Sequence, residues 1–322
     1  MTTPAERRAL DRIRRDVSRR YPAIARAILR AVRSLQSIPI AEIEAALVAG
    51  GADAVIRAVF SESRINSELA EARREILNAV DASGQAAVSN VIATQTFAFD
   101  VLAPQVLERV QTMATVSLGK FAQDVQASIR AEATIGLLRG ENPRTTARRI
   151  RDAVGLAPNQ QEAVANFRNA LEVAATNKDA LGYALRDKRF DATIRAARAA
   201  GRSLSVEQID RMTEAYQRRF VAFHAETIAR TTALDANKLG QELAFQQAAD
   251  AGAVEPSRLV KRWVATLDDR VRDAHAEMDG IEVMYDDPWN VPGEGLQMYP
   301  GEGTYNCRCA SVYRLLPRGQ TL

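Results

Sequence analysis

The chain has 322 residues and is 47% hydrophobic, so a substantial core can form, and the length suits two domains or one domain with an extended helical part. Two cysteines among 322 residues exclude a disulfide-rich secreted scaffold, and their scarcity favours a reducing, cytoplasmic origin. Net charge is +3 but unevenly placed: residues 1–33 carry ten arginines and three acids (+7), while residues 250–322 carry eight basic and twelve acidic residues (−4). The basic start, MTTPAERRALDRIRRDVSRRY, has no apolar segment and does not read as a signal peptide. No apolar run reaches the roughly 18 residues a membrane-spanning helix requires.

Apolar residues recur every three or four positions from Leu10 through Ile13, Val17, Tyr21 and Ile24 to Ile28, which predicts a helix over residues 5–33 with a kink at Pro22. A second helix is expected over 39–59, with Pro39 in its first turn and a break at Gly50-Gly51. A third is expected over 62–80. Residues 94–101 are dense in Thr, Phe and Val and read as extended. Helical periodicity returns over 104–138. Asn142 followed by Pro143 reads as an N-cap and first helical residue, and Pro158 starts another short helix. Ordinary helix packing is the expectation here over a nucleic-acid-binding helix-turn-helix. Residues 205–249 form the strongest helical pattern, opened by a Ser205/Gln208 capping box, with a break expected near Asn237 or Gly240. His224, beside the apolar face, is expected to be a packed helical residue, and Glu226 and Arg230 an i,i+4 pair.

After Ala253 the character changes. Residues 258–269 read as a strand and turn, 270–278 as one short helix, 281–285 as a strand, 286–304 as turn and loop, and 306–315 as a closing strand. The expected fold class is therefore α+β, predominantly helical with a small C-terminal mixed α/β domain. Three consecutive regions are expected: an elongated helical region over 1–140, a helical part over 141–250 and the mixed domain over 251–322.

Both cysteines lie in NCRC, residues 306–309. If 268–280 were one helix, Asp268, Arg272, His275 and Asp279 would share a face. His275, Asp279, Cys307 and Cys309 then supply four candidate zinc ligands, with a turn at 306–308 expected to bring the thiols together. The spacing is not that of a C-x-x-C zinc motif, and the expected arrangement is a metal-free polar cluster in which Arg308 or Arg272 pairs with Asp279 or Asp269; zinc is the alternative. A Cys-His-Asp hydrolase built on Cys307, His275 and Asp269 is permitted by residue type, but no nucleophile elbow or phosphate loop accompanies it. Arg7, Arg8, Arg12, Arg15 and Arg19 recur at helical spacing, and most share one face that could meet nucleic acid or an acidic protein surface.

Four segments resemble the phage head morphogenesis, or minor head protein, family (phage Mu F-like): ETIARTTALDANKLG (226–240), KRWVATLDDRVRDAHAEMDG (261–280), YPGEG (299–303) and NCRCASVY (306–313). Arg230, Thr231, Trp263, Asp269, Arg272, His275, Asp279, Gly280, Pro300, Gly301 and Asn306 to Cys309 carry the resemblance. Thr232 stands where many relatives have an acid. The resemblance implies a structural minor capsid protein of a tailed bacteriophage, made during head assembly. It would sit near the portal or capsid interior, in the host cytoplasm before that. Its partners would be portal protein, major capsid protein or scaffold, with DNA contact in some relatives and no membrane. No catalytic activity or cofactor defines the family. A structural polar cluster is expected from Trp263, Asp269, Arg272, His275, Asp279, Asn306, Cys307, Arg308 and Cys309. The alternative is a nuclease-like or transferase-like enzyme built around His275 and Arg272.

Overall fold

The computed structural model describes residues 3–91, 97–266, 268–302, 304, 307–320 and 322, and the statements below concern these residues. They form ten α-helices, short 3-10 turns and five strands, so the chain is α+β and mostly helical. The expected extended stretch at 94–101 and the expected start of the closing strand at Asn306 fall partly outside the described residues; residues 97–100 form no strand.

The chain divides into two compact units, each assembled from separated stretches: Met1–Ala27, Ala70–Leu118 and Thr227–Leu322 in the first, Ile28–Leu69 and Gly119–Glu226 in the second. This is a different partition from three consecutive regions, because α1 (Pro4–Gln36), α5 (Pro104–Leu138) and α9 (Val206–Asp250) each have residues in both units.

The second unit is helical. In α2 (Ile40–Ala58) Gly50 and Gly51 leave helical geometry, Gly51 with φ 62°, which glycine alone adopts without penalty. Helix α3 (Glu62–Glu68) starts at Ser61, whose hydroxyl accepts the Arg64 amide. It ends at Leu69, so the single helix expected from residue 62 is two helices, α3 here and α4 (Ala70–Val91) in the first unit. Helix α6 (Pro143–Ala153) begins at the Asn142 cap, and α7 (Pro158–Glu172) and α8 (Asp191–Ala199) follow. Phe167, Leu171, Ile194, Leu204, Ile209, Met212 and Tyr216 form one apolar cluster. His224 is buried in this unit; Nδ1 donates to the Gly155 carbonyl at 3.0 Å, and Nε2 lies 3.5 Å from Asp124.

In the first unit the break expected in α9 is not there. A Cβ on Gly240 would sit 2.4 Å from the Val80 carbonyl oxygen, so the glycine lets α9 and α4 approach rather than ending a helix. Asn237 Nδ2 donates to Asp16 Oδ2 on α1 at 3.2 Å and to Ser83 on α4 at 3.0 Å, tying three distant stretches together. The C-terminal part adds an antiparallel sheet of order β2 (Glu282–Met284), β1 (Leu259–Val264), β5 (Ala310–Leu315). A hairpin of β3 (Trp289–Val291) and β4 (Gly295–Gln297) stands where loop was expected. Helix α10, only Asp273–Glu277, falls in the chain between β1 and β2.

Candidate functional site

Everything around the two cysteines belongs to the first unit. Strand β1 is the central strand of the sheet, and its Trp263 is completely buried in a cluster with Met278, Trp289, Cys307 and Cys309. The backbone then turns at Asp268, whose side chain accepts the Arg270 amide at 3.1 Å, and enters α10. This helix is too short to hold Asp268, Arg272, His275 and Asp279 on one face: Arg272 is its N-cap, and Asp268 and Asp279 lie beyond its ends. Only His275 of the four is buried, at 1% exposure.

Nδ1 of His275 faces both thiols, 3.5 Å from Cys307 Sγ and 3.8 Å from Cys309 Sγ. These three residues offer donor atoms all within 4.8 Å of one another. Nε2 points the other way, 3.0 Å from Glu294 Oε2 in the β3–β4 turn. The Glu294 carboxylate also accepts Gln297 Nε2 at 2.8 Å. Burial pushes its pKa up, but the hydrogen bonds from His275 and Gln297 outweigh that and hold it below the usual value. An ionised Glu294 assigns the proton to Nε2 and leaves the Nδ1 lone pair aimed at the sulfurs. The indole of Trp263 meets the imidazole edge-on at 5.3 Å and Trp289 at 5.5 Å.

Residues 307–309 precede β5 and contain no turn. None is needed, contrary to the expectation from sequence: residues two apart in extended backbone share a face. Cys307 and Cys309 are buried while Arg308 between them is half-exposed. Both cysteines are free. Cys307 is pulled towards the thiolate by a hydrogen bond from the Cys309 thiol, with burial opposing and the Lys238 ammonium assisting; the same bond and burial push Cys309 up.

Two buried lysines hold the backbone of residues 298–301 beside Cys307. Lys238 of α9 donates to the Pro300 carbonyl. Lys261 of β1 donates to the Met298 carbonyl at 2.9 Å, its ammonium 4.7 Å from the centre of the Trp289 ring. Burial lowers the Lys261 pKa to about 8. Gln297 Oε1 accepts the Gly301 amide at 2.8 Å. Gly301 has φ 76°, and a Cβ there would lie 2.4 Å from both Cβ and Sγ of Cys307, so only glycine permits this approach.

The other expected members of the cluster lie outside its centre. Asp279 Oδ1 caps the Ala265 amide at 3.0 Å and is not one of the three grouped donors. Asp269 and Arg272 are exposed. Arg308 pairs with Asp268, by two bonds of 2.6 Å, rather than with Asp269 or Asp279. Asn306 lies outside the described residues. Glu294 and the two lysines were not singled out from sequence. Glu294 sits among glycines and prolines with no periodicity to mark it; Lys238, three residues after Asp235 on a buried helix face, did carry a signal.

A cleft of about 760 Å³ adjoins the cluster, and Cys307 reaches its wall; its other polar lining includes Arg14, Arg230, Arg270, Arg272 and Arg308, against Asp268 as the carboxylate. Of the five N-terminal arginines named from sequence, Arg12, Arg15 and Arg19 line a separate cleft of about 410 Å³ with Asn237 and Tyr313. Arg7 and Arg8 are exposed on the same helix. Among the described residues no helix is long and apolar enough to cross a membrane.

Comparison with known proteins agrees with the resemblance on its central segments. Residues 205–312 match the family described as Phage Mu protein F like protein, about one third of the chain. A stretch of 89 residues is 30% identical to the NAD(+)--arginine ADP-ribosyltransferase EFV of Enterococcus faecalis; it covers 26% of this chain but only 18% of that protein. No solved structure matches the chain.

Proposed function

Starting from a phage Mu F-like segment at 205–312, we propose that the protein is a structural minor head protein of a tailed bacteriophage. It acts during head morphogenesis in the host cytoplasm and remains in the virion at the portal vertex or capsid interior. The observation that carries this reading is where the match falls. It spans the whole of α9, β1, the His275 helix, the β3–β4 hairpin and residues 307–309, and so takes in the buried His275, Cys307 and Cys309 and both buried lysines that bond to the backbone beside them. His275 at its centre is 1% exposed, which suits a part that holds a shape. Portal protein, major capsid protein or scaffold are the partners this role calls for. The exposed arginines of α1 supply a surface for packaged DNA or for an acidic partner. The activity in the relative's name is not carried over, since the matched stretch is 18% of that protein.

The test is genetic and structural. A phage deleted for this gene should assemble heads that are aberrant or poorly filled, and particles from the parent phage should carry the protein at the portal or inside the shell. Normal yields of infectious particles from the deletion, or absence of the protein from purified virions, would overturn the reading.

A further inference from the structure

We propose that His275 Nδ1, Cys307 Sγ and Cys309 Sγ together bind a single zinc ion. A tetrahedral site with Zn–S bonds of about 2.3 Å and Zn–N bonds of about 2.0 Å has sulfur–nitrogen edges of about 3.5 Å. The two sulfur–nitrogen separations here are 3.5 and 3.8 Å. One S–H···N hydrogen bond would account for one such separation; two sulfurs converging on a single imidazole nitrogen is the arrangement that a shared ion explains.

The surroundings supply the second half of the argument. Histidine ligands of metals commonly donate their other ring nitrogen to a carboxylate, which fixes the tautomer and raises ligand basicity. Glu294 stands in that place, 3.0 Å from Nε2, and is itself held by Gln297. The chemistry of the set also fits. Thiolates and imidazole select zinc over hard cations such as magnesium or calcium. As each S–Zn bond forms, the thiol proton leaves to solvent; no electron is transferred. Two thiolates then balance the two charges of the ion, so the buried unit is neutral and avoids the penalty of an isolated buried charge. Among the described residues three protein donors are grouped, which leaves the fourth tetrahedral position to water, the ligand count of Cys2His sites. Cys307 borders the arginine-lined cleft, from which that water can enter.

The experiment uses the full reduced chain, stripped with a chelator and titrated separately with zinc and cobalt(II). The expected result is saturation at one equivalent, release of thiol protons, and a thiolate-to-cobalt charge-transfer band. Glu294→Gln keeps all three donors and should weaken zinc binding about 10–100-fold with the band retained. Cys309→Ser should diminish the band. No saturable uptake by folded wild-type protein would overturn the proposal, as would an unchanged band in folded Cys309→Ser. The readout is metal bound per chain, so its outcome is independent of whether the protein serves in head assembly.

Discussion

Glu294 Oε2 and His275 Nε2 lie 3.0 Å apart, joining the β3–β4 turn to α10 across the buried face of the C-terminal part. Removing the imidazole empties a fully buried site and leaves both thiols without their nitrogen partner, while Glu294 stays within reach of water. His275→Ala should lower unfolding stability by about 1–3 kcal/mol, read by urea denaturation. A double-mutant cycle with Glu294→Ala should give a coupling energy of about 0.5–3 kcal/mol. Strictly additive effects would show that the two side chains do not act together.

Gly301 and Gly319 separate two effects of a positive φ. Both are left-handed, at 76° and 83°, but only at Gly301 does an added Cβ meet another atom. Gly319→Ala should cost about 1–2 kcal/mol from backbone conformation alone. Gly301→Ala should cost that plus about 1–3 kcal/mol of overpacking against Cys307. Equal losses by thermal denaturation would mean that the loop yields freely.

Two helix-interior glycines should respond to alanine with opposite signs. Nothing lies within 4 Å of a Cβ on Gly119, so Gly119→Ala should stabilise by up to about 1 kcal/mol through helix propensity. On Gly240 the same atom meets the Val80 carbonyl oxygen at 2.4 Å. A backbone atom cannot step aside as a side-chain tip can, and Gly240→Ala should destabilise. Midpoints from chemical denaturation of the two variants decide it.

Lys261 predicts a particular pH dependence. Burial brings its pKa from 10.5 down to about 8. Between those values the unfolded chain holds a proton that the folded chain has released, so stability contributed by this group rises with pH over that window. It is absent below about 8. The full rise corresponds to about 3 kcal/mol. Comparing wild type with Lys261→Met at pH 7, 8, 9 and 10 should show wild type gaining on the variant. A constant difference would mean that the lysine keeps its ordinary pKa.

The α1 arginines require substitution rather than truncation, because Leu10 and Val17 on the same helix are buried. The quadruple variant of Arg8, Arg12, Arg15 and Arg19 to Gln should bind duplex DNA more weakly than wild type. Its log–log salt dependence should be shallower by about 0.9 per lost phosphate contact. Equal affinities and slopes would assign these arginines to protein contact or solubility.

Much of the helical content was legible because it rests on local signals. Asn142-Pro143 and Pro158 mark their helix starts, and the apolar spacing of 104–138 marks α5 to the residue. Where reading failed, a distant contact decided the outcome. Gly240 looks like a breaker until Val80 is seen against it, and 268–280 looks like one helix until Asp268 is drawn away by Arg308. The approach of Cys307 and Cys309 to His275 was legible from the rarity of cysteine and histidine. The role of Glu294 was not, since a single carboxylate in a glycine-rich turn gains meaning only from the histidine opposite it.

The bonds of Asn237 to Ser83 and Asp16 span 154 and 221 positions of chain, so each closes a long loop when the protein folds. Closing a loop costs entropy that grows with the logarithm of its length, and contacts of such separation are the slow ones. The stretches Ile28–Leu69 and Gly119–Glu226 lie inside the Asp16–Asn237 loop, the second of them also inside the Ser83–Asn237 loop, and they form a compact unit of their own. When that unit collapses first, it shortens the effective span that Asn237 must close. The three pieces carrying Asp16, Ser83 and Asn237 then meet as ends already drawn in. A destabilising change in the intervening helices would therefore slow assembly of the cysteine–histidine framework without touching a residue in it.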